Sequence, residues 1–363
     1  MSRVAVKMND TVPITGVDAL DQHLDQLVAD PTLPSQVKLF DDVTLQLTDV
    51  NILPLIPRLL PKITEILKQY QQDPAIICEL AIKLLGPLTF TQVMSLASED
   101  AILQALRSPA PSANLLAMAV LDKASKTPGE AAILATMKNT ILGFVTQWLS
   151  APQVEVGERG SRVLGNLLDV DCTTRPEHGV SLNGQEIVTR KPPGQGLMWR
   201  RVFQDRDIYG TILSLSGAGP HHDAEGGQSS HQLTLAQGRL FRVVPRLAAL
   251  NLGAVTRTEF PDLNQRVSHV ETDEGLLQFT ALRMIDKDDL LMHLTLVDFF
   301  ETLVSIQRVT PFSTYKMETL KKLLLDATGN DAAVKDAILT LPDRTVPEEA
   351  GDLRTFIGSL LRP

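Results

Sequence analysis

Apolar residues return every three or four positions through the first 170 residues, as in Ile76, Leu80, Leu84 and Leu88, or Ile133, Met137, Ile141, Phe144, Val145 and Trp148. That spacing places them on one face of an α-helix and predicts one helix after another, each with a stripe to bury. Start signals recur at intervals: Asp18 opens a run to Ala29, Asp49 opens Asn51 to Tyr70, and Asp73-Pro74 and Thr127-Pro128 each combine an N-cap with proline at the first helical position. Strand-like alternation is nearly absent here, and the connections are short and rich in Pro, Asp and Ser, as between stacked helical hairpins.

The pattern also repeats. Asp73 to Leu88, DPAIICELAIKLLGPL, aligns without a gap on Pro152 to Leu167, PQVEVGERGSRVLGNL, at an offset of 79 residues. Glu79 falls on Glu158, Lys83 on Arg162, and Leu84-Leu85-Gly86 on Val163-Leu164-Gly165, with Ser112 to Lys126 between them as a weaker intermediate copy. The offset is about two periods of a helical repeat in the range of roughly 40 to 47 residues, the HEAT and armadillo class. The expected fold is therefore all-α: a HEAT/armadillo-like α-solenoid, a right-handed superhelix of helical hairpins. Such a stack presents a long curved surface suited to macromolecular partners.

The second half is less regular. Residues 172–196 hold Asn183-Gly184 between Val180-Ser181-Leu182 and Glu186-Ile187-Val188, the pattern of a small hairpin or a loose loop. Helical spacing returns at Leu197 to Leu215, breaks over 216–231, resumes from Leu233 to Leu252, and runs from Leu276 to Leu361. Its clearest stretch is Asp288 to Arg308, with Leu290, Leu291, Leu294, Val297, Phe300 and Leu303. Residues 1–171 read as regular repeats and 172–363 as continuing repeats with insertions, in one continuous superhelix.

Composition narrows the partner. With 44% hydrophobic residues in 363, the chain has enough apolar mass for a continuous core. A net charge of −9 and a pI near 5.3 argue against a nucleic-acid backbone and favour a basic or mixed-charge protein surface. Cys78 and Cys172 form neither a disulfide framework nor a zinc spacing, which fits a reducing compartment, cytosol or nucleus. MSRVAVKMND has no apolar signal region, and every apolar run is cut by proline or charge before the roughly 18 residues of a membrane span, so neither secretion nor a membrane is expected.

Catalytic signatures are missing: no G-x-S-x-G, G-x-x-x-x-G-K, H-E-x-x-H or glycine-rich dinucleotide turn occurs, so no enzyme, cofactor or resident metal is expected. His221, His222, Asp223 and His231 carry zinc-ligand chemistry but sit in a glycine-rich stretch without ligand spacing. Cys78 lies on an apolar stripe, where a thiol behaves as a small hydrophobe. The candidate partner-binding residues are charged or aromatic. Glu155, Glu158, Arg159, Arg162 and Asn166 form a polar stripe opposite Val156, Val163, Leu164 and Leu167, and Glu79 and Lys83 are its counterparts in the first matching segment. They read either as i, i+4 pairs on a solvated face or as the lining of a groove. Trp199, Arg200, Arg206, Asp207 and Tyr209 combine the residue types of binding hot spots, against a core tryptophan braced by an Arg and Asp network.

Taken together, the helical repeats, the stretch Asp205 to Gly210 (DRDIYG) after Trp199-Arg200-Arg201, and Glu155 to Asp171 (EVGERGSRVLGNLLDVD) resemble the fungal members of a known family. These are the HEAT-repeat chaperones that assemble the base of the proteasome regulatory particle, a family also named for DNA mismatch repair. The resemblance implies a non-enzymatic scaffold whose concave face grips the C-terminal domain of one AAA+ ATPase subunit. It would hold that subunit while it pairs with neighbouring base subunits, then leave the finished particle. The alternatives are an armadillo-type adaptor, which needs a Trp and Asn ladder where only Trp148 and Trp199 exist, a mismatch repair accessory protein with other protein partners, and an enzyme with a site in the irregular half.

Overall fold

Burial of the periodic stripes builds two compact units, one ending at Lys123 and the other beginning at Ala124. The computed structural model describes residues 14–173, 192–217 and 229–361. The first unit contains α1 (Val17–Ala29), α2 (Val37–Thr44), α3 (Ile56–Gln69), α4 (Ala75–Leu85), α5 (Phe90–Met94), α6 (Glu99–Arg107) and α7 (Pro111–Lys123). The second contains α8 (Pro128–Thr136), α9 (Lys138–Ser150), α10 (Val154–Val170), α11 (Leu197–Phe203), α12 (Arg206–Ser216), α13 (Ser230–Leu250) and α14 (Leu252–Thr256). It continues with α15 (Pro261–Ser268), α16 (Leu276–Leu282), α17 (Leu290–Val309), α18 (Thr314–Thr328), α19 (Ala332–Thr340) and α20 (Pro347–Leu361). The fold is all-α, of the solenoid kind: among the described residues the only β-contact is an isolated bridge between Arg257 and Glu274.

The internal match survives as register. α4 begins at Ala75 and α10 at Val154, the offset read from the sequence. Each packs on the helix before it and on a later one, α4 on α3 and α7, α10 on α9 and α13. Thr127 caps α8 by accepting the N–H of Glu130, as its Thr-Pro pair predicts. Other boundaries differ. The stripe from Ile133 to Trp148 is two helices broken at Met137, and Ile133 is exposed. Leu197 to Leu215 is also two, because Asp205 opens α12 by accepting the N–H groups of Asp207 and Ile208. The run after Asp49 becomes helical only at Ile56, after a short 3-10 turn at Leu53–Leu55. The expected hairpin at Asn183-Gly184, and His221, His222 and Asp223, lie outside the described residues; His231 is exposed in the first turn of α13.

Helix α13 is the hub of the second unit, packing on α9, α10, α12, α14, α16 and α17. One side chain fixes its position. Arg239 is 6% exposed, and its guanidinium donates to the carbonyl oxygens of Trp148 (2.7 Å), Leu149 (3.0 Å), Ala151 (2.6 Å) and Gln153 (3.2 Å). The first three are orphan carbonyls at the end of α9, where the helix dipole favours a cation, and the fourth also accepts the Gly157 N–H as the N-cap of α10. Burial pushes the arginine pKa down to about 10. Room for it comes from Gly157, where a β-carbon would lie 2.0 Å from Arg239 Nε. Gly160 does the same for Trp148, whose indole N–H reaches Ser161 at 2.9 Å.

Farther along, Asp331 caps α19 and is almost fully buried, accepting from Lys287 (2.9 Å) and lying 3.0 Å from His293 Nε2. Burial works to raise its carboxyl, but Lys287, the Val334 amide and His293 hold it below its ordinary 3.8.

Two predictions follow from these contacts. Arg239→Met leaves the carbonyls of Trp148, Leu149 and Ala151 without a donor and lowers unfolding free energy by at least about 3 kcal/mol, while Gly157→Ala, which crowds the same guanidinium, costs about 1–3 kcal/mol; denaturant titration of both measures this. Because the folded carboxyl of Asp331 lies below its unfolded value, its contribution is present above pH 3.8 and fades as pH falls through the folded value. Asp331→Asn keeps the cap but loses the ion pair, so it is about 1–2 kcal/mol less stable at neutral pH, with the gap closing in acid; urea unfolding across pH checks it.

Candidate partner-binding surface

On α10 the buried side carries Val156, Val163, Leu164 and Leu167, which leaves the polar stripe outward as its spacing requires. Glu155, Glu158 and Arg162 are exposed, and Arg159 and Asn166 are half-buried. Part of the stripe is engaged from α13: Arg242 reaches Glu158 at 3.0 Å, and Arg246 reaches Asn166 at 3.3 Å and Asp169 at 3.8 Å. Glu158 and Arg162 do not close into the expected i, i+4 pair, and Glu155 and Arg162 make no ion pair among the described residues. In the first unit Glu79 and Lys83 are likewise exposed on α4 and unpaired with one another. That unit also has an open hollow of about 870 Å3, lined mainly by apolar side chains such as Leu60, Ile63, Leu85, Leu116 and Val120.

The aromatic cluster is core. Asp171, fully buried, accepts the N–H groups of Gln195 (3.1 Å), Met198 (2.7 Å) and Trp199 (3.3 Å), and so ties the start of α11 to the end of α10. Trp199 donates its indole N–H to Leu168 O at 2.9 Å and stacks on Phe203 at 5.4 Å. Tyr209 continues the ladder between Phe203 and Phe260, with its phenol pushed up to about 12 by burial. Trp199 is 4% and Tyr209 1% exposed, so neither presents a surface to a partner. The hot-spot reading fails for both, since their rings are spent joining α10, α11, α12 and α15.

Their charged neighbours face outward. Arg200 is exposed and borders a shallow depression of about 420 Å3 together with Leu197, Arg201 and Gln204. Arg206 forms a two-pronged pair with Asp262, one prong at 3.0 Å, and lies over the Phe260 ring at 5.6 Å. Asp207 is exposed, not a buried arginine partner, and binds Lys138 at 2.7 Å. Lys138 also reaches Asp205 at 3.2 Å, as does Arg201 at 2.7 Å. Burial works to raise the Asp205 carboxyl, but Lys138, Arg201 and the amides of Ile208 and Asp207 hold it below 3.8.

Several of the residues that organise this surface escaped the sequence reading. Arg239, Arg242 and Arg246 sit at i, i+3 and i+7 on α13, a spacing that was legible as one basic helix face. Asp171 and Lys138 left no local signal, because their partners are distant in sequence. Among the described residues no group of His, Cys, Asp and Glu is placed to hold a metal ion. The Cys78 thiol is pushed up to about 11 by burial, and Cys172 is buried with Sγ 3.3 Å from Leu250 O, so neither has the environment of a nucleophile.

The division between core aromatics and surface charges is measurable. Trp199→Ala removes a stacked, hydrogen-bonded core ring and lowers unfolding free energy by about 3–5 kcal/mol. Arg206→Ala, which removes an exposed ion pair and an exposed contact over the Phe260 ring, lowers it by no more than about 1 kcal/mol. Chemical unfolding of the two variants side by side separates the roles.

No curated protein matches the chain. The family described as DNA mismatch repair protein HSM3, N terminal domain, matches residues 21–147, from within α1 to near the end of α9. Glu79, Lys83 and Lys138 fall inside that span, while the α10 stripe and the Trp199 cluster lie beyond it. Over residues 21–147 the chain thus matches the HSM3 family, the family to which its sequence resemblance points.

Proposed function

We propose that this chain is a non-enzymatic assembly chaperone of the proteasome. On this reading it binds the C-terminal domain of a proteasomal AAA+ ATPase subunit, holds it beside neighbouring base subunits, and is released when the regulatory-particle base is complete. The match to the HSM3 N-terminal domain carries the proposal. Support comes from the surface: Glu155 and Arg162 on α10, and Glu79 and Lys83 on α4, are charged, exposed and make no ion pair among the described residues. Binding would rest on charge complementarity, with the −9 balance of the chain favouring a basic patch on the partner. No cofactor takes part, and the cytosol or nucleus is the place of action. The family name supplies a second reading, an accessory role in DNA mismatch repair. The acidic balance favours a repair protein over DNA itself as the contact in that case.

Purification from cells at physiological salt, followed by mass spectrometry of stoichiometric partners, decides between these. Proteasomal ATPase subunits are the expected partners, and recovery of repair proteins or importins without them would overturn the reading. Reversing Glu155→Lys and Arg162→Glu together weakens capture of the ATPase several-fold while leaving the melting temperature unchanged. A collapse of helicity in that variant would instead make the stripe structural.

A further inference from the structure

At its N-terminal end α17 turns its most apolar residues outward. Leu290, Leu291 and Leu294 are 71%, 70% and 56% exposed, while Met292, Leu296, Phe299, Phe300 and Leu303 on the opposite side are buried. The sequence spacing places Leu290, Leu291 and Leu294 in one apolar stripe with Phe300 and Leu303. Leucines exposed to this degree on one helix face contribute little to folding, and contiguous exposed apolar side chains are a feature of interaction surfaces.

The charges beside them have been sorted. The run Asp286-Lys287-Asp288-Asp289 leads directly into the leucines. Its one cation, Lys287, turns to the buried Asp331, which His293 also contacts. Asp289 caps α17 by accepting the N–H groups of Leu291 and Met292. Asp286 holds the turn by accepting the Asp288 N–H at 3.0 Å, and neither Asp286 nor Asp288 makes an ion pair among the described residues. Asp298, one turn beyond Leu294, is exposed as well. The leucines are therefore edged by carboxylates whose local cation, though exposed, is paired with Asp331.

From this pattern we propose that the start of α17 is a docking surface for a basic amphipathic helix of a protein partner. Leucine-type side chains of that helix would cover Leu290, Leu291 and Leu294, and flanking Lys or Arg would face Asp286 and Asp288. A second copy of this chain would bring the same acidic edge against itself, and an anionic bilayer would be repelled by it. The inference rests on the chain being a protein-binding scaffold and not on the identity of its ATPase.

The test uses the full chain and, as probe, a fluorescent synthetic amphipathic helix of leucine and lysine, with a leucine and glutamate helix as control. The lysine probe binds and weakens as salt is raised, and the glutamate probe does not bind. Leu290→Glu/Leu291→Glu lowers affinity about tenfold or more. Asp286→Asn/Asp288→Lys, which keeps the turn, lowers it several-fold and flattens the salt dependence. Circular dichroism melts matching the parent show that both variants are folded, and Leu294→Ser serves as a milder substitution on the same face. Equal probe binding by parent and variants overturns the proposal. So does a dimer in sedimentation that Leu290→Glu/Leu291→Glu splits, which would give the surface to a second copy. Failure of the chain to capture any proteasomal ATPase, with the probe results intact, sinks the chaperone reading and leaves this surface standing.

Discussion

The guanidinium of Arg239 at the end of α9 is the contact on which the second unit turns. A charge that deep costs several kcal/mol in lost hydration. Here that cost is offset by three carbonyls that the end of α9 cannot satisfy itself, by a shared bond to Gln153 O, and by the negative end of the helix. Both sides need the other: without the arginine the carbonyls are orphans, and without the carbonyls the arginine cannot be buried. The result locks α9, α10 and α13 in one register. The same device recurs. Lys123 on α7 donates to Gly86 O at 3.0 Å and Leu88 O at 2.8 Å just beyond α4, Arg201 on α11 to Ala135 O at 2.8 Å near the end of α8, and Lys316 on α18 to Gln307 O at 3.2 Å and Thr310 O at 3.0 Å at the end of α17. A stack of short helices exposes many C-terminal ends, and in these four a long cationic side chain from a neighbouring helix closes the end.

This economy shapes what remains for binding. Cations that cap helices, such as Arg239 and Lys316, are removed from the surface, and Lys287, though exposed, is paired with the buried Asp331. The charges on α10 and α12 therefore divide into those that brace neighbouring helices, Glu158 with Arg242 and Arg206 with Asp262, and those left outward, Glu155 and Arg162. A rigid helical backing with a partly uncommitted charged face suits reversible binding better than it suits chemistry.

Periodicity made the helices legible, and the internal match fixed the start of α10 relative to α4. It could not show the breaks at Met137 and at Gln204-Asp205, because apolar spacing runs on across a turn when both flanking helices bury the same side. Nor could it separate the two meanings of Trp199 and Tyr209. Aromatic rings among arginines are the chemistry of a hot spot and equally of a core with charged edges, and only the positions of Asp171, Leu168 and Phe260 decide for the core. The polar stripe on α10 was legible as exposed but not as partly engaged, since Arg242 and Arg246 arrive from a helix some 80 residues later.

Helix α17 shows why hydropathy alone misleads in such a stack. Leu290–Val309 is long and apolar enough to cross a membrane by length and composition. Its buried face, however, is a stripe of Met292, Leu296, Phe299, Phe300, Leu303 and Val304 set against α13 and α19, and the opposite face carries Asp298 and Thr302. The apolar excess lies in Leu290, Leu291 and Leu294, which pack on nothing in their own unit well enough to be covered. The core of this helix is explained by folding and its exposed end is not. Since replacing those leucines with polar residues would cost the fold little, their presence beside uncommitted carboxylates is a property of the surface, and it has to be accounted for by what that surface meets.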